Sequence, residues 1–185
     1  MPIKGIRTID KINYSIFYVD SFSVALKKII RKQLQGIYNG FALIDSVPEF
    51  YSYKNTLKSF LDRYNDKTDK IKKGMIGELL AHILLNQQKN NLTSLSILKN
   101  KEERSIKKGF DIIYFNTIKN QLWYSEVKAG KSTKYKSTPY NETLLNRAKK
   151  GISVMIDEKR NSLWESALID VELVIKEKKK QIKFK

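Results

Sequence analysis

The stretch Leu122-Trp-Tyr-Ser-Glu-Val-Lys-Ala-Gly-Lys131 decides how the chain is read. Tyr124 and Val127 belong in a buried strand, yet Glu126 and Lys128 stand among them, two positions apart. Side chains alternate across a strand, so these two face the same way, about 7 Å apart along the backbone. A solvated pair on an edge strand would look like this, and so would part of a metal-dependent active site. Trp123 falls on the opposite face and is expected in the core.

The preceding segment supplies a partner. Gly109-Phe-Asp-Ile-Ile-Tyr-Phe115 and Gln121–Lys128 both read as strands, and the link Asn116–Asn120 is short and turn-prone. The two are expected to pair as an antiparallel hairpin. A turn at 116–120 puts Asp111 opposite the 124–126 region, where its carboxyl and that of Glu126 can converge on one cation. Two carboxylates suit a divalent ion that lowers the pKa of a bound water and neutralises charge on a scissile phosphate. A lysine beside them can hold that water. Buried charges of this kind are tolerable only when paired or metal-bound.

Glu78 extends the pattern. It is the one acid in the apolar run Gly74-Met-Ile-Gly-Glu-Leu-Leu-Ala-His-Ile-Leu-Leu85, which reads as a largely buried helix. A carboxylate from that helix could complete the metal sphere, directly or through water. A pairing with Lys72 or Lys73 at the helix start is the plainer alternative. His82, one turn further on, reads as a hydrogen-bonded core residue.

Composition narrows the chemistry. The chain has 185 residues, no cysteine and a single histidine. Disulfides, thiolate zinc sites, cysteine nucleophiles and multi-histidine sites within the chain are therefore excluded. A metal would be held by oxygen ligands, which favours Mg²⁺, Mn²⁺ or Ca²⁺. The net charge of +17, from 36 basic and 19 acidic residues, points to a polyanion partner. An AT-rich genome would also enrich lysine, asparagine and isoleucine as seen here. No segment approaches the roughly 18 apolar residues of a membrane span, and no secretory signal opens the chain. The expectation is a cytoplasmic protein with no membrane contact.

Few boundary signals interrupt the chain, which has eight glycines and three prolines. Residues 1–60 are expected to form strand and helix elements on a core built by 61–185, in one compact unit. Tyr14–Val19 reads as a strand, Val24–Leu34 as an amphipathic helix, and Asp62–Lys73 as a loop or frayed turn. Leu92–Leu98 reads as a short strand, and the chain turns helical from Glu142. Lys108, Lys131, Lys134 and Lys136 flank the candidate site and are candidate phosphate contacts, or solvated loop residues.

Glu78, Gly109-Phe-Asp111 and Glu126-Val-Lys128, in this order, resemble the PD-(D/E)xK nucleases. The resemblance implies a restriction-endonuclease-like α+β core, with a mixed central sheet flanked by helices. More narrowly, residues 74–136 resemble the HamA nuclease subunit of the Hachiman anti-phage defence system. That implies a Mg²⁺-dependent deoxyribonuclease with a helicase subunit as partner. Asp111, Glu126 and Glu78 would then be metal ligands and Lys128 the catalytic lysine. Phe110 stands where many members carry proline. Two other readings keep the fold: a non-catalytic nucleic-acid-binding module or regulatory subunit, and a restriction endonuclease or junction resolvase. The last would favour a homo-oligomer, which the sequence leaves open.

Overall fold

The computed structural model of the chain describes residues 3–41, 44, 47–88, 92–99, 111–116, 118–119, 121–130 and 140–157. A hairpin of β1 (Ile6–Asp10) and β2 (Ser15–Val19) comes first. Helices α1 (Val24–Asn39), α2 (Tyr53–Asn65) and α3 (Asp69–Gln88) follow. A second, three-stranded sheet holds β3 (Leu92–Ser94), β4 (Ile112–Asn116) and β5 (Gln121–Ser125) in that spatial order. Helix α4 (Tyr140–Asp157) is the last described element. The fold is α+β, as expected. All the strand pairings among the described residues are antiparallel.

The helices form where the sequence supplies caps and an inner stripe. Ser23 caps α1 by accepting from the Leu26 amide at 3.1 Å, and Ser52 caps α2 by accepting from Asn55 at 3.3 Å. Tyr53, Leu57, Phe60 and Tyr64 recur every three or four positions and carry α2 onto the core. That stripe overrides the expected loop: α2 runs through Asn65 and α3 starts at Asp69, leaving only 66–68 between them. The charges there lie on exposed turns, and Asp69 suits the positive end of α3.

The main core joins Leu34, Ile37 and Tyr38 of α1, Phe60 of α2, Leu79 and Ile83 of α3, and Leu98. Residues 98 and 99 are bound to the end of α1, their amides donating to Ile37 and Tyr38 carbonyls at 2.9 Å. On its other side α3 meets the sheet, where buried His82 bonds Ser94 of β3 at 3.1 Å. An apolar surface all round α3 is thus used on both sides.

β4 is the middle strand and every one of its residues is buried. Its register with β5 runs from Ile112 opposite Ser125 to Asn116 opposite Gln121, the expected hairpin. Asn116 closes the turn, its Oδ1 accepting from the Ile118 and Lys119 amides at 3.1 and 2.9 Å. Strand β5 ends at Ser125 rather than Lys128, so Glu126 and Lys128 lie just past the ladder. Trp123 is 40% exposed, not core. Among the described residues it stands on the outer strand of the sheet.

Two buried tyrosines give a direct test. The Tyr38 hydroxyl lies 3.1 Å from Ser59 Oγ, whereas the buried Tyr114 hydroxyl has no partner among the described residues. Tyr38→Phe should lower stability by about 1 kcal/mol in urea unfolding, and Tyr114→Phe should leave it unchanged or raise it. A Tyr114→Phe loss as large as that of Tyr38→Phe would contradict this accounting.

Candidate active site

Asp111 immediately precedes β4, and continuing the hairpin register by one position sets it opposite Glu126. Its Oδ2 accepts the Val127 amide at 2.6 Å. That amide would otherwise seek a ladder carbonyl, so the side chain replaces the ladder and frees residues 126–130 from it. Asp111 and Glu126 meet there as expected.

Lys128 donates to Glu126 Oε1 and, at 3.5 Å, to the Val127 carbonyl. The Glu126 side chain is 10% exposed and that of Lys128 32%, so the pair is partly shielded from water. Loss of water raises the pKa of Glu126 most; Lys128 pulls it back, and Asp111 adds by its charge and by a hydrogen bond. Glu126 is thus held between a cation and a second carboxyl.

Glu78 reaches the same neighbourhood from α3. Burial, then the charges of Asp111 and Glu126, push its pKa up to about 7, while Arg63 opposes the shift. Lys72 and Lys73 do not figure among its charge neighbours. Arg63 belongs to α2 and also donates to the Leu98 carbonyl at 3.3 Å. Sequence reading missed it because Arg63 falls in the charged segment Asp62–Lys73, read as a loop or frayed turn; the signal was the Tyr53–Tyr64 stripe.

Glycines make the assembly possible. A Cβ on Gly77 would come within 2.6 Å of the Ala129 Cβ, so α3 lies hard against the segment after Lys128. A Cβ on Gly151 would meet Glu126 Oε1 at 3.2 Å, so α4 passes beside that carboxylate. At its start, Tyr140 crowds Gly130. Helix α4 therefore runs alongside residues 126–130. A glycine inside a helix lowers its stability, so a packing reason is the signal that could have marked Gly151.

Three acids and a lysine from three segments accordingly share one neighbourhood. Among the described residues, no group of three or more His, Asp or Glu side chains stands as a ready metal-holding cluster. The donors present are all oxygen, and two of the carboxyls are desolvated with raised pKa values. Crowded carboxylates of this chemistry fit a hard divalent cation. His82 is not one of them: fully buried, it bonds Ser94, and burial lowers its pKa to about 4. Lys108, Lys131, Lys134 and Lys136 lie outside the described residues.

Residues 3–183 match the family model HamA. The chain belongs to the HamA family. The match extends well past residues 74–136 and takes in the N-terminal hairpin and helix α4. HamA membership ties the chain to Hachiman anti-phage defence. Comparison with curated proteins and with solved structures finds no match. Among the described residues, no helix is long and apolar enough to cross a membrane.

The raised pKa of Glu78 has a consequence for stability. The fold prefers its neutral form, so its contribution is complete below pH 4.5 and is lost as pH rises through about 7. In EDTA, Glu78→Gln should raise stability at pH 8 by about 1–3 kcal/mol and change little near pH 4. Thermal melts at both values check this; equal effects at the two would exclude it. His82 acts oppositely, its contribution being lost as pH falls from 6.5 toward 4. Gly77→Ala should cost about 1–3 kcal/mol in urea unfolding, because Ala129 leaves no room for the added methyl.

Proposed function

We propose that this HamA-family chain is a metal-dependent deoxyribonuclease that hydrolyses phosphodiester bonds in anti-phage defence, working in the cytoplasm beside a helicase subunit. The observation that carries the reading is the meeting of Asp111 with Glu126, with the Lys128 ammonium on Glu126 and Glu78 close by. A surface ion pair would not need two further acids, and it would not crowd carboxyls into a site that raises their pKa values.

Each side chain has a role. Asp111 and Glu126 would hold Mg²⁺, or Mn²⁺ in its place, and Glu78 would join them directly or through water. When bound, that ion supplies a more acidic water and offsets charge growing on the scissile phosphate. Lys128 leaves Glu126, holds the attacking water and stabilises the phosphate's developing charge. Gly77 and Gly151 keep the backbone and the Glu126 carboxylate seated between α3 and α4. The excess positive charge of the chain draws the DNA in.

The test is plasmid incubated with the chain and its helicase partner, in Mg²⁺ or EDTA. EDTA should abolish cleavage, and Lys128→Ala, Asp111→Asn and Glu126→Gln should each lower the rate by about 100-fold or more. Products should be a smear of fragments; discrete bands would indicate a site-specific restriction enzyme. Cleavage by Lys128→Ala at the normal rate would remove the proposed site.

A further inference from the structure

The β1/β2 hairpin is a surface with no place in the site just described. Its register pairs Arg7 with Tyr18 and Ile9 with Ile16, so these four share one face. That face is open: Ile9 and Tyr18 are 40% exposed and Ile16 is 36% exposed. At the turn Ile12 is fully exposed and Tyr14 is 57% exposed. A two-stranded hairpin is barely stable alone, and outward apolar and aromatic groups on one imply something that covers them.

The hairpin is fastened to a basic helix. Asp20 accepts two bonds from Arg7 at 2.6 and 2.9 Å, and the Arg7 guanidinium sits 4.7 Å over the Tyr18 ring. Ser23, the cap of α1, also donates to the Lys4 carbonyl. Helix α1 then presents Lys27, Lys28, Arg31 and Lys32, all exposed, and contains no acidic residue. The pairs 27/31 and 28/32 are like charges one turn apart, which repel.

Charge decides the occupant. A second copy would bring another +17 chain to a basic surface. A single-stranded nucleic acid offers both complements, a phosphate backbone for the α1 cations and flat bases for exposed rings. We infer that the hairpin and α1 form a docking surface for single-stranded DNA, separate from the carboxylate site. Bases stack on Tyr14 and Tyr18, and phosphates lie against Lys27, Lys28, Arg31 and Lys32. The inference rests on the nuclease reading only for the choice of DNA.

The experiment is fluorescence anisotropy of a labelled 20-nucleotide single strand, with the full chain in EDTA, so that binding is read without cleavage. Tyr14→Ala/Tyr18→Ala should weaken binding about tenfold or more with the salt dependence unchanged. Lys27→Glu/Arg31→Glu should weaken it and lower the salt slope by about 1–2. The single strand should compete better than duplex of the same length. Both double variants change exposed residues, and melts should show them folded. Affinities within twofold of the unaltered chain for either variant would overturn the inference. So would a concentration-dependent dimer, seen by sedimentation and lost in the tyrosine variant, because the hairpin would then be covered by a second copy. Failure of the nuclease reading appears separately, as cleavage indifferent to Lys128, with these binding results untouched.

Discussion

The bond from the Val127 amide to Asp111 holds the candidate site together, because it joins a residue before β4 to one after β5. A main-chain carbonyl in that place would have continued the ladder and carried Glu126 and Lys128 along a regular strand. With a carboxyl there instead, the ladder stops at Ser125 and the backbone can turn its charged groups toward α3 and α4. The register behind it is firm. Ile112, Ile113 and Tyr114 are almost wholly buried, so both faces of β4 are covered, and the turn closed by Asn116 fixes its pairing with β5. A rigid, greasy strand thus aims a polar residue at its end, the arrangement that keeps a chemical site well placed.

Electrostatics then works against the fold. Desolvation is the first cause of the raised pKa at both Glu78 and Glu126, and mutual repulsion with Asp111 adds to it. The two cations near them do not cancel this. Lys128 serves Glu126, and Arg63 acts on Glu78 while also bonding a carbonyl. A structure selected only for stability would have replaced one of these acids with an amide or an apolar residue. Their retention in one place is the physical reason for seeking chemistry here, and on the proposed reading a divalent ion would supply the missing charge.

The hairpin and the Asp111–Glu126 approach were legible in sequence because they follow from local rules, a turn-prone five-residue link and strict alternation. The buried character of His82 was legible too, from a lone histidine in an apolar helix. What could not be read depends on tertiary contact. The early end of β5 comes from a side chain on another segment, and no pattern within 121–128 announces it. Trp123 was expected in the core because it faces away from Glu126, yet it is 40% exposed, and facing away from a site does not by itself say what packs on that side. Arg63 was hidden among charges that suggested a loop, although the apolar stripe of α2 was already in the sequence.

Helix α3 shows why the site acid sits where it does. A helix with one apolar face would turn its polar face to solvent, and an acid there would be hydrated and ordinary. Because α3 is packed against α1 and α2 on one side and the sheet on the other, an acid within it has no such refuge. It must point where other polar groups are, toward the end of the sheet where the ladder opens. Gly77 makes that approach close, since any side chain there would strike Ala129 and lift the helix away from the strand. At Gly151 the fit is tight but not closed, since a Cβ there would lie 3.2 Å from Glu126 Oε1. Two missing side chains, one on each flanking helix, let three negative groups come nearer than their mutual repulsion favours.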